Sequence, residues 1–255
     1  MSDTIRILIL SANPGPTGRI LVDEEAREIS NRIEEGPYRD RFKLEKHTAL
    51  KPSDLQKLLL KHRPHIVHFS AHGHKTQRLI LGGAPGRAKT VDKYGMAQVF
   101  ALYRHHVRLV VLNACFTDAL ARSITKSVDY SVGTGKGIGD KAGVVFAGAF
   151  YRALGFGNSV REAFASAKAE LALTRTPRSQ GIGLFVRNGI TDNDPFPGVK
   201  DTAPIFTTTS LRYERRVRVF EALSITRLSK QIEIPVRRRD SLERRIAPGF
   251  VTSAW

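Results

Sequence analysis

At 255 residues the chain is long enough for one full core and an appendage, and no run of about eighteen apolar residues marks it as membrane-spanning. Its single cysteine excludes an internal disulfide framework and, with no signal peptide before the first strand pattern, fits a soluble protein of the cytoplasm. The net charge of +17 and pI near 10.4 suit anionic partners. However, the basic residues are spread along the chain without interleaved aromatics, which reads as a solvated surface rather than a nucleic-acid site.

Ile5 to Leu10 has the apolar, β-branched character of a buried strand and runs into a loop of turn residues, 11 to 18. Val22, Ala26, Ile29 and Ile33 then recur at helical spacing, with acidic residues at the start and Gly36-Pro37 as a stop. Phe42 to Lys46 is a weaker strand, and Pro52 opens a helix whose Leu55, Leu58 and Leu59 share a face. Strand alternating with helix predicts an α/β domain.

Next comes Ile66-Val67-His68-Phe69-Ser70-Ala71-His72-Gly73, a central-strand pattern that presents His72 at its carboxyl end, with Gly73 allowing a sharp turn. Arg78 to Leu81 beside Gly82 to Gly86 suggests a hairpin, and a helix follows over Asp92 to Tyr103. Leu109 to Ala114 is a second buried strand, ending on Cys115, with a helix starting at once over Phe116 to Ile124. Tyr130 to Val132 is a further strand, followed by the flexible run Gly133 to Asp140 and an apolar helix over 142 to 154. Ser159 with Glu162 matches a capping box ahead of a helix striped by Val160, Ala163, Phe164, Ala167 and Leu171. Ile182 to Val186 closes the domain, which spans residues 1–190. Residues 191–255 form a basic C-terminal extension: a Pro-rich linker at 194–198, an alternating stretch at 216–220, and arginines at 237–239 and 244–245.

In an open α/β sheet the carboxyl ends of parallel strands converge on one crevice, which would bring His72 and Cys115 together. Taken singly, Cys115 reads as a small buried hydrophobe and His72 as a satisfied polar group. As a pair at two strand ends they fit a Cys-His dyad, with a thiolate favoured at a helix amino terminus and oxyanion donors in the backbone amides of Gly73 and Cys115. His65, His68, His72 and His74 lack the spacing of a zinc set, so no metal is expected, and no cofactor. Gly133 to Gly139 fails the Walker pattern, because Gly137 follows Lys136 where Ser or Thr should stand, and is read as a wall of the crevice.

These residues carry a resemblance. Ile-Leu-Ile-Leu-Ser-Ala-Asn-Pro with Asp23 to Arg27, the His68 to Gly73 strand, the Leu109 to Cys115 strand, Gly137 to Asp140 with the helix after it, and Gly157 to Val160 together resemble the CHAT family of caspase-like cysteine peptidases, in the clan of caspases and separase. The resemblance implies a caspase-like three-layer α/β sandwich with a mostly parallel central sheet. It implies catalytic His72 and Cys115 without a third member. It also implies that Asp140 stands where separase-like relatives keep a pocket acid that would favour Arg or Lys before the scissile bond; the alternative for Asp140 is a helix cap.

Family context adds a protein substrate, a role in bacterial defence of CRISPR-associated type or in regulated proteolysis, and an upstream activating protease or sensor. A cut in the arginine-rich extension or in the Gly82 to Lys89 loop would convert a latent zymogen. The rival readings are a non-catalytic CHAT-fold binding module, a TIR-like NAD-consuming domain for which no glutamate stands at a credible strand end, and nucleic-acid binding through the extension.

Overall fold

The computed structural model describes residues 4–14, 21–83 and 87–191. The linker and extension beyond residue 191, with their alternating and arginine-rich stretches, lie outside the described residues. The chain runs β1 (Ile5–Ala12), α1 (Val22–Glu34), β2 (Phe42–His47), α2 (Pro52–His62), β3 (Ile66–His74) and the hairpin β4 (Arg78–Gly82) and β5 (Ala88–Val91). It continues through α3 (Lys93–Leu102), β6 (Leu109–Asn113), α4 (Asp118–Ile124), β7 (Tyr130–Thr134), α5 (Asp140–Gly155), α6 (Val160–Leu173) and β8 (Ile182–Val186).

The central sheet has the order β2-β1-β3-β6-β7-β8. Its first five strands are parallel, and β8 pairs antiparallel with β7. Strands buried on both faces must be apolar on both, and the period of two divides β3 between two cores. Ile66 faces a core built with Ile29 and Ile33 of α1, Phe146 and Phe150 of α5 and Val160 of α6. Val67, Phe69 and Ala71 face the other, built with Leu55 and Leu59 of α2, Met96 and Phe100 of α3 and Leu120 of α4. Three layers result, with α1, α5 and α6 on one side of the sheet and α2, α3 and α4 on the other.

Local chemistry agrees with these boundaries. Pro52 opens α2, Asp92 caps α3 by accepting from the N–H groups of Tyr94 (3.1 Å) and Gly95 (2.9 Å), and Ser159 with Glu162 forms the expected capping box of α6. At the base of the sheet the buried Asp129 accepts from Arg108 and from Arg187 (2.6 Å), which ties the start of β6 to the residue after β8.

Three expectations need correction. β3 does not turn at Gly73 but runs on to His74, leaving the main sheet to pair His72, Gly73 and His74 with Ile80, Leu79 and Arg78 of β4. α4 begins at Asp118 rather than Phe116, because Phe116 takes a left-handed backbone conformation (φ 56°) that no helix residue can adopt. α5 begins at Asp140, two residues earlier than its apolar stripe indicates, with Gly139 in the cap position.

Candidate active site

β3 and β6 lie side by side, with Ser70 opposite Asn113 in the register. The chain beyond each carries one of the two candidate residues, so sheet geometry alone places His72 and Cys115 at neighbouring strand ends. Both are partly buried and both line one crevice. Its other walls come from Leu21 and Glu25 of the α1 end, Ile138 and Gly139 of the loop before α5, and Asp140, Gly143 and Val144 of α5.

Gly73 is where the two strands press together: a Cβ on it would fall 1.6 Å from the Cys115 carbonyl oxygen. The glycine is therefore required for close approach of backbone to backbone, not for a turn. The Cys115 sulfur accepts the Ile138 N–H at 3.3 Å, and its S–H faces the Ile138 carbonyl oxygen at 3.6 Å. Since α4 starts three residues downstream, the polar contact to sulfur comes from the 133–139 loop instead of a helix end, and that loop is a wall of the crevice as expected.

Asp140 is exposed at the mouth as the first residue of α5, and Gly139, not Asp140, holds the cap position. A second carboxylate, unforeseen as a site residue, lies at the floor. Glu25 is only 4% exposed, and its carboxylate accepts from His68 Nε2 (2.8 Å), the Ser70 hydroxyl and the Asn113 amide. On the far side of the His68 ring, Nδ1 meets the Tyr151 hydroxyl at 3.2 Å. Burial, and then the charge of Glu25, hold the Tyr151 phenol well above its ordinary ionisation range. The phenol thus keeps its proton and donates to Nδ1, which assigns the Nε2–H tautomer to His68.

The remaining histidines are dispersed. The His65 ring accepts the Arg6 N–H at 3.0 Å at the opposite end of β3, and the His74 ring bonds the Thr76 hydroxyl at 2.7 Å. Among the described residues no three His, Cys, Asp or Glu side chains group as metal ligands, and no helix is long and apolar enough to cross a membrane.

Residues 16–206 match the family model described as the CHAT domain. The chain belongs to the CHAT domain family. Within it, this CHAT domain is 28% identical over 136 residues to a Roc-COR-CHAT protease of an unknown prokaryotic organism, a match spanning 51% of this chain and 13% of the relative. It is 21% identical over 150 residues to a probable protease of Gillisia limnaea, spanning 58% of this chain and 26% of that protein. The CHAT domain thus corresponds to about a quarter or less of these relatives' length. Its fold is that of the caspase-like cysteine proteases. A secreted C11 cysteine protease from Bacteroides thetaiotaomicron, solved with an irreversible peptide inhibitor, superposes with a TM-score of 0.50 at 13% identity, over 71% of this chain and 66% of the other.

Proposed function

We propose that this CHAT domain is a cysteine endopeptidase in which Cys115 is the nucleophile and His72 the base. The reading rests above all on one observation: the chain's only cysteine and a histidine of the neighbouring strand, where β3 leaves the main sheet, line the same crevice in a caspase-like fold. His72 takes the thiol proton, the sulfur attacks the scissile carbonyl, and the tetrahedral oxyanion is met by the backbone N–H groups of Gly73 and Cys115. Collapse to a thioester expels the amine with the proton from His72, and water then releases the acid product with His72 again as base.

A basic residue before the scissile bond is the preferred substrate feature. Glu25 at the floor and Asp140 at the mouth are carboxylates, and among the described residues no Lys or Arg lines the crevice to oppose a cation. Regulation by a partner or by cleavage in the Gly82 to Lys89 loop or the extension, in a bacterial defence setting, belongs to the same proposal. Its support is that the Cys115 sulfur is engaged by the Ile138 backbone, a contact that must loosen before the sulfur can strike a carbonyl.

The test is a peptide-library cleavage assay on wild type, Cys115→Ala, His72→Ala and Asp140→Ala, each with and without limited proteolysis by trypsin. Cutting by the wild type, lost by at least about a thousandfold in the first two variants and altered in preference in the third, is the expected result. Cutting that survives Cys115→Ala would refute the mechanism, and wild type that cuts nothing under either condition would favour a non-catalytic binding module.

A further inference from the structure

We propose that Glu25 is a positioning residue that fixes His72 relative to Cys115, an inference that rests on the Cys115–His72 reading above. The geometry is a clamp across two strands. Ser70 and Asn113 are register partners in β3 and β6, and the single Glu25 carboxylate accepts a hydrogen bond from each. Ser70 stands two residues before His72 and Asn113 two residues before Cys115, so the clamp grips both strands at the same distance from their reactive ends. Alternate residues of a strand share a face, which puts His68, Ser70 and His72 on the side from which α1 presents Glu25.

The carboxylate is also braced from behind. Three of its roughly four acceptor directions are taken by His68, Ser70 and Asn113. His68 is itself held by Tyr151 of α5. One side chain therefore joins α1, β3, β6 and, through His68, α5 at the crevice floor. Hydrogen bonds to an ionised acceptor are about twice as strong as neutral ones, which makes the clamp stiff. Stability alone does not call for it: Glu25 shares a helix face with the buried Ile29 and Ile33, and an apolar set of residues in place of Glu25 and its donors together would avoid the desolvation cost of a carboxylate. Its position makes sense as a device that holds two strand ends in fixed relation.

The test uses the full 255-residue chain and iodoacetamide, a probe that needs no substrate. Alkylation of Cys115 at pH 7 is followed by intact-mass spectrometry in wild type, Glu25→Gln, His72→Ala and the double variant. Gln keeps the shape but replaces one of the two acceptor oxygens with an amide NH2, which must face either Ser70 or both His68 and Asn113. Glu25→Gln should slow alkylation about tenfold, as loss of an orienting partner does. His72→Ala should slow it comparably, and the double variant should be no slower than His72→Ala alone. A wild-type rate in Glu25→Gln, or the same factor with and without His72, would overturn the clamp, since independent effects multiply.

If circular dichroism shows that Glu25→Gln does not fold, the same cycle is run with Asn113→Ala, which cuts one arm and leaves Glu25 paired with His68 and Ser70. The two proposals fail separately. The expected alkylation pattern in a protein that cuts no peptide sustains the clamp and removes the peptidase, whereas peptide cutting with wild-type alkylation in Glu25→Gln does the reverse.

Discussion

Gly73 and Cys115 meet backbone to backbone, so closely that an added methyl on Gly73 would overlap the Cys115 carbonyl oxygen at 1.6 Å. A backbone oxygen, unlike the far end of a flexible side chain, cannot step aside cheaply. Gly73→Ala should therefore cost at least about 1–3 kcal/mol of stability and separate the two strand ends. Urea denaturation reads the first effect, and the rate of Cys115 alkylation reads the second.

A second contact of this kind supports the crevice floor. A Cβ on Gly143 of α5 would lie 2.7 Å from Nδ2 and 2.9 Å from Oδ1 of Asn113, whose amide is held by Glu25. Gly143→Ala should push that amide off the carboxylate, slowing Cys115 alkylation as Asn113→Ala does, while adding the methyl to an Asn113→Ala background should have little further effect. Additive slowing in the double variant would show that Gly143 acts elsewhere.

The capping box of α6 makes a pH-dependent contribution with a definite sign. The Ser159 backbone N–H and then its hydroxyl donate to Glu162, and they hold its carboxyl below the ordinary value of 4.5. A group with a lowered folded value stabilises fully above its unfolded value and loses that contribution as pH falls towards the folded one. Ser159→Ala should cost about 1 kcal/mol at pH 7, and the gap to wild type should narrow as the pH drops below 4.5. Urea midpoints at pH 7 and pH 3.5 measure it, and an unchanged gap would contradict the assignment.

His106 acts in the same sense, at higher pH. Burial, followed by the charges of Arg63, Arg6 and His105, lowers its ionisation below the ordinary 6.5. Between that value and the lowered one the unfolded chain binds the proton more readily, so acidification destabilises the fold. His106→Gln, which cannot take up the proton, should gain on wild type in urea midpoint from pH 7.5 to pH 5.5. A constant difference would show that His106 titrates alike in both states.

Most of the sheet is legible in the chain because buried parallel strands read as apolar runs, and β3, β6 and the capping box of α6 stand where their patterns put them. Glu25 was legible too, but only with a different question. Its acidic neighbours Asp23 and Glu24 make it look like first-turn charge, yet it falls four residues before Ile29 and eight before Ile33, on the buried stripe. A carboxylate there needs donors, and the polar alternation His68, Ser70, His72 in an otherwise apolar strand supplies them.

What the chain could not disclose is approach at the scale of ångströms. Gly73 signals a turn as readily as a close contact, and nothing local says that Phe116 adopts a left-handed conformation that delays α4. The Ile138 contact to sulfur joins residues twenty-three apart through a loop whose path only the packing of α5 decides.

The central claim, that Cys115 with His72 attacks a peptide carbonyl, is tested most directly by an irreversible peptidyl acyloxymethyl ketone. Reagents with Lys, Arg, Leu or Asp next to the ketone are incubated with wild type and His72→Ala, before and after trypsin treatment, and the adduct is located by mass spectrometry. A single adduct on Cys115, strongest with Lys or Arg and lost in His72→Ala, is the expected result. Folded wild type that forms no adduct on Cys115 with any of the four, under either condition, would contradict the claim.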